Sequence, residues 1–188
     1  MTILATNRPF SVLVRKAGSW RRKPAEERLW FAPAFLLLGL ARATLVAVPF
    51  RRIAPSLGYD LKTAAVVPLA SEDEVVRALH IGRAVRTAAR YTPWQSRCLA
   101  QAMAARVLLA MNGLPYGLYL GVENSRDSGM TAHAWVCTGP AAVTGGRSFG
   151  RFTVVGTFVS PRLFRSPVKS PGPAARRLAF RSFHDAAS

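Results

Sequence analysis

Acid and thiol are both scarce in this 188-residue chain. Nine Asp and Glu face 26 Lys and Arg, for a formal net charge of +17, and there are only two cysteines and three histidines. Two cysteines cannot knit a disulfide framework, so a reducing, cytoplasmic setting is expected. No Cys-x-x-Cys or His-x₃-His pair spells a metal site. Gly145-Gly146 lacks the lysine and the following helix of a phosphate-binding loop. Neither metal nor cofactor is therefore expected. The first 28 residues contain no apolar core followed by a small-residue cleavage site, so no secretory signal is read there. The excess of base favours acidic partners such as an acidic peptide or an anionic membrane face. It would suit nucleic acid too, but no RNA-recognition strand motif, zinc finger or helix-turn-helix is present, and no nucleic-acid partner is expected.

Half the chain is hydrophobic, enough for one domain with a real core plus extensions. Residues 1–24 and 161–188 read as loose basic segments around a folded region at 25–160. Residues 29–50, LWFAPAFLLLGLARATLVAVPF, are long enough to cross a bilayer. Pro33, Gly39 and Arg42 interrupt them, and Arg28, Arg51 and Arg52 put positive charge at both ends. A buried or interfacial helix fits better than a span, with peripheral membrane contact through 29–50 left open. The helix is expected to start after Pro24 and to end near Val48, before Pro49.

Ser71 with Glu74 is a capping box that predicts a second helix to about Arg90, with Val75, Val76, Leu79 and Val85 on its apolar side. A third helix follows from Cys98, where Leu99, Ala102, Met103, Val107, Leu108 and Met111 keep helical spacing until Asn112-Gly113 and Pro115 stop it. Strands are expected at 116–122, 131–137 and 151–159, with 123–130 as a polar loop. Helices before strands imply an α+β fold around an antiparallel sheet.

One thiol and one imidazole open adjacent elements. A thiolate is favoured at a helix N-terminus and by a neighbouring imidazole that takes the proton. Cys98 lies in the first turn if Ser96 is the N-cap, the preferred assignment; Thr92-Pro93-Trp94-Gln95 offers a rival cap that would move it into the second turn. Alternation along TAHAWVC sets His133, Trp135 and Cys137 on one strand face and Ala132, Ala134 and Val136 on the other. Cys137 is four residues along the same strand from His133, roughly 13 Å away at ~3.3 Å per residue. Only Cys98 is free to meet His133 from another element.

The helix-opening CLAQAMAARVLLAMNGLPYGLYLGV, a short polar loop, AHAWV and a strand such as FTVVGTF together resemble the B proteins of lasso-peptide biosynthesis in their stand-alone leader-peptidase form. Those proteins are members of the transglutaminase-like cysteine protease superfamily. The preceding LLLGLARATLVAVPFRRIAPSLG is similar to that family's N-terminal helical region. The resemblance implies a transglutaminase/papain-like core. It also implies removal of the leader from a precursor peptide before an asparagine-synthetase-like cyclase closes a macrolactam, with help from a separate leader-recognition protein. It makes Cys98 the nucleophile and His133 the general base, with the Cys98 N–H and the Gln95 side chain as oxyanion donors. The family's third residue is an aspartate after the histidine. Here 138–146, TGPAAVTGG, carries no acid, and beyond His133 there is only Asp185. A backbone carbonyl or the Thr144 hydroxyl is the expected orienting group, with Glu123 and Asp127 as further candidates.

Overall fold

Two long helices pack on one face of a five-stranded sheet, and a third long helix packs across those two. The structure is a computed structural model that describes residues 25–64, 66–125, 129–146 and 148–162. The expected loose segments at 1–24 and 161–188 lie outside these, Pro161 and Arg162 excepted. Helix α1 (Ala25–Ala47) keeps Pro33 inside it, in the second helical turn and a half. A short helix α2 (Phe50–Ile53) and a 3-10 turn (Ala54–Leu57) follow Pro49.

Helix α3 (Glu72–Ala89) begins with the expected capping box. The Ser71 N–H donates to Glu74 Oε2 at 2.9 Å, and the Glu74 N–H donates to Ser71 Oγ. Two orphan donors are satisfied, and three acids in the first turn face the positive end of the helix dipole. Of the expected apolar side, Val85 is buried and Val75 and Leu79 are half-buried, and only Val76 departs from it. Ala78, Ile81, Gly82, Ala84, Val85 and Ala88 are buried, whereas Val76 is exposed. The helix lies so close to the sheet that small residues fill part of the contact beside Ile81 and Val85. At Gly82 a Cβ would run into the Val143 carbonyl.

Helix α4 (Cys98–Met111) is rich in alanine, and Ala100, Ala102, Ala104 and Ala105 are all buried. Its end follows the sequence: Gly113 takes φ +64°, and the Leu114 N–H closes onto the Leu109 carbonyl at 2.9 Å. Its start does not. The N-cap is Arg97, with no side-chain cap, and Cys98 is the first helical residue. The Ser96 hydroxyl is engaged instead with Thr92 Oγ1 at 2.9 Å, and the Ser96 carbonyl accepts from Gln101 Nε2 at 2.8 Å.

The strands are β1 (Tyr59–Asp60), β2 (Gly117–Ser125), β3 (Gly129–Thr138), β4 (Ala141–Thr144) and β5 (Thr153–Val159). Every pairing is antiparallel and the order is β1-β5-β2-β3-β4. The α+β expectation holds, with two strands more than the sequence suggested. The polar stretch 123–130 is mostly hairpin, because Glu123, Asn124 and Ser125 pair with Thr131, Met130 and Gly129. Backbone pairing outweighs polar composition at this exposed end.

Leu118, Ala134, Val136 and Phe158 point from the sheet into one core with Leu38 of α1, Ile81 of α3 and Leu108 of α4. Burying each leucine contributes about 1.5–3 kcal/mol. A second cluster, Tyr119, Trp135 and Cys137 with Phe152 and Val154, occupies the other face.

Candidate active site

Cys98 opens α4 with no side chain competing for the first backbone N–H groups of that helix. It is half-buried and packs against the helix-side core. Its thiol therefore sits where an anion would meet free N–H groups and the positive helix end. The other thiol is in the opposite situation. Cys137 is buried in the aromatic cluster, and burial pushes its pKa up to about 12. At neutral pH it is an inert thiol.

His133 sits in β3 opposite Gly121 of β2. As expected from the alternation, it shares its face with Trp135 and Cys137. Its half-buried ring stacks on Phe152, centroids 4.9 Å apart, and on Trp135 at 6.1 Å. Nε2 lies 2.9 Å from the Gly145 carbonyl oxygen. A carbonyl can only accept, so Nε2 carries the proton, and in the neutral ring Nδ1 holds the free lone pair. The same carbonyl accepts from buried Ser148 Oγ at 2.8 Å, which fixes it in place.

The imidazole is thus oriented by a backbone carbonyl at the position after Thr144. The Thr144 hydroxyl itself is fully buried and, among the described residues, has no hydrogen-bond partner. Gln95 is exposed, with Oε1 accepting from Arg97 Nε at 3.1 Å. Glu123 accepts two bonds from Arg151 Nε at 3.2 and 3.1 Å, at the rim of the aromatic face. Asp127 lies outside the described residues.

No hydrogen bond joins Cys98 to His133 among the described residues. The thiol belongs to the helix-side core and the ring to the aromatic side. β4 pairs with β3 only from Val136 to Thr138, so among the described residues the outer edge of β3 from Trp135 toward Gly129 has no strand partner, although the Gly145 turn packs against Trp135 and the Ala134 carbonyl. His133 stands just past the end of β4, on the strand that α4 packs against.

Sequence reading expected a backbone carbonyl or the Thr144 hydroxyl to hold His133, and the structure shows that it is the carbonyl of Gly145. Gly145 adopts φ +79°, a left-handed conformation, and a Cβ there would press on Trp135 and the Ala134 carbonyl. The two adjacent glycines were the available signal. Phe149, edge-on to Tyr119 and Trp135, and Phe152, which stacks on the His133 ring, follow three and six residues later. Trp94 packs against Gly39 and Phe35 of α1. Among the described residues no group of three or more His, Cys, Asp and Glu could hold a metal ion.

Neither a curated protein nor a solved structure gives a significant match to the chain. A family match does exist, to the Transglutaminase-like superfamily over residues 44–157. That stretch runs from α1 into β5 and takes in Cys98, His133 and Gly145. The chain belongs to the transglutaminase-like superfamily, a group of cysteine peptidases and acyltransferases.

Proposed function

We propose that the protein is a cysteine peptidase that removes the leader from a lasso-peptide precursor. A separate leader-recognition protein would present the precursor, and an asparagine-synthetase-like cyclase would close the macrolactam on the freed core. The superfamily membership supports the chemistry, and the paired Cys98-Leu99 and Ala-His-Ala-Trp-Val motifs support the substrate class. The observation that carries the reading is the bond from His133 Nε2 to the Gly145 carbonyl, which leaves Nδ1 as the base.

In this reading Cys98 Sγ and His133 Nδ1 meet at the uncovered edge of β3 when substrate binds, since catalytic hydrogen bonds are often long or unformed without it. Nδ1 takes the thiol proton and the thiolate attacks the scissile carbonyl. The N–H of Cys98, free at the helix start, faces the developing oxyanion. One such donor is worth about 3 kcal/mol, on the order of a hundredfold in rate. The imidazolium then gives its proton to the leaving amine, and water releases the acyl group. The Gly145 carbonyl keeps the ring oriented but cannot neutralise the imidazolium as a carboxylate would. Turnover is accordingly expected to be slower than with a full triad.

A second reading is favoured by the missing carboxylate: a precursor-binding scaffold of the same fold, without turnover. A third keeps the thiolate and passes the acyl group to an amine. Incubation with precursor and recognition protein, followed by mass spectrometry, separates the three. Hydrolysis predicts two fragments whose masses sum to the precursor plus one water, and Cys98→Ala should reduce their formation by at least about a thousandfold. Wild-type-like cleavage by that variant would falsify Cys98 as nucleophile. An intact precursor bound by both proteins establishes the scaffold, and an amine adduct establishes the transferase.

A further inference from the structure

Helix α1 has an inner and an outer face of different character. Inside, Ala34, Leu38 and Ala41 enter the core, and buried Glu27 meets Arg83 of α3 at 3.2 Å. Outside, Leu29, Leu36 and Leu40 are 68, 72 and 63% exposed, and Val46 is 70% exposed. Exposed Ala32, Ala43 and Ala47 fill the positions between them. Steps of three, four and seven residues put all but Val46 on one line along a 23-residue helix, roughly 34 Å long at ~1.5 Å per residue.

The stretch Glu27–Ala47 is long and apolar enough to cross a bilayer, yet only 17% of it is buried within the protein. A core helix would be mostly covered. A crossing helix would have to leave α3 and α4, withdrawing Leu38 from the core and Glu27 from Arg83. The fold as it stands keeps α1 flat on the domain with its apolar line facing outward.

Charge decides what covers that line. From Arg28 to Tyr59 the sequence has no acid, and Arg28, Arg42, Arg51 and Arg52 are all exposed around the stripe. A cleft of about 310 Å³ between α1 and α4 adjoins it through Leu40, and Arg52 and Arg106 are among the residues that line it. A second copy would set a net +17 against +17. A convex helix also needs a matching groove on a protein partner, whereas a lipid interface yields to its shape.

We propose that the outer face of α1 docks on an anionic lipid surface. Leu29, Leu36 and Leu40 enter the boundary between headgroups and acyl chains, and Arg28, Arg42, Arg51 and Arg52 meet the lipid phosphates. The enzyme is thereby held peripherally, with the helix in the plane of the membrane and the rest of the domain outside it.

Flotation of the full-length protein with vesicles of phosphatidylcholine, with and without phosphatidylglycerol, tests this. Binding should require phosphatidylglycerol and weaken with salt. The double variant Leu36→Gln/Leu40→Gln, which keeps the net charge and changes only exposed positions, should partition roughly tenfold less or worse. Leu69→Gln, 91% exposed on the segment before α3, should bind as wild type does. Arg51→Gln and Arg52→Gln should each cost about fivefold at low salt. Unchanged melting of each variant confirms that the fold is intact. The proposal is overturned if wild type ignores phosphatidylglycerol vesicles or if the double variant floats as well as wild type. It is equally overturned by a lipid-free dimer that the double variant dissolves.

Discussion

The two faces of the sheet are built from different materials. The helix face is aliphatic and small: alanines, leucines and valines at near-complete burial, with Gly82 bringing α3 onto Val143. The other face is aromatic, with Tyr119 and Trp135 stacked at 5.5 Å, Phe149 edge-on to both, and Phe152 against His133. Aliphatic packing of this density supplies stability, because the side chains are surrounded and, Tyr116 apart, have almost no polar atoms to satisfy. The aromatic face carries polar cargo: a tyrosine hydroxyl donating to the Val66 carbonyl at 2.6 Å, an indole N–H without a partner, an inert thiol and the histidine. The lesson is a division of labour. One face holds the domain together, and the other positions an imidazole at an open strand edge.

A pair of truncations tests that division with the largest expected effect on stability. Leu108→Ala, on the helix face, should cost about 2–5 kcal/mol of unfolding free energy. The ring-proton NMR signals of His133 should stay where they are. Phe152→Ala, half-buried, should cost roughly 1–2 kcal/mol, and the His133 signals should move because the ring loses its stacking neighbour. Equal costs in urea titrations, with no movement of the His133 signals in either variant, would erase the distinction between the faces.

The elements of the helix face were largely legible in the sequence, because their causes are local. Ser71 and Glu74 announce their helix three residues apart, and Asn112-Gly113 announces the end of the next one. Where local reasoning failed, a partner distant in sequence decided the outcome. Val76 looked like core, but the nearness of α3 to β4 favours Ala78 and Gly82 there. Tyr59 and Asp60 form a strand only because Val159 and Phe158 pair with them from 98 or more residues away. The run TGPAAVTGG hid β4, since its strand character comes from pairing with Val136–Thr138. At the site, Cys98 and His133 could be named from motif and alternation. The orienting group could be expected only as some backbone carbonyl, without its residue, because a carbonyl has no letter of its own and any residue at 145 would carry one. Only the φ of +79° makes glycine the fitting choice.

The two thiols sharpen the comparison at an intermediate scale. Native protein at pH 8 should yield one thiol to a disulfide reagent, Cys98, and a second only on unfolding. This difference follows from exposure alone, so it does not test activation. The activation test is the pH profile of Cys98 alkylation, which His133→Ala should alter. The buried thiol has its own signature. Its folded-state pKa, about 12, lies above the 9.0 of an ordinary thiol, so the stability it contributes is complete below pH 9 and is lost as pH rises from there toward 12. Wild type should lose roughly 2 kcal/mol from this source by pH 11. Cys137→Ala should be less stable at neutral pH yet show a shallower alkaline decline. Tyr119, whose phenol is also pushed upward by burial, leaves part of the slope in place. An unchanged slope would mean that Cys137 ionises as freely in the folded chain as in the unfolded one.

The smallest expected effect lies at the rim of the aromatic face, and it bears on the acid that the site lacks. Glu123 is bound to Arg151, and that guanidinium also lies 5.2 Å over the Phe152 ring. The pair is solvent-facing on the arginine side, so Glu123→Gln should cost only about 0.2–1 kcal/mol, and less in high salt. If the Gly145 carbonyl is the sole orienting group, the variant should retain wild-type turnover and the same pH profile of Cys98 alkylation. If Glu123 instead swings toward the imidazole during catalysis, turnover should fall by orders of magnitude while stability barely changes. That combination cannot come from a rim ion pair. It would transfer the third role of the triad from a carbonyl after the histidine to a carboxylate before it.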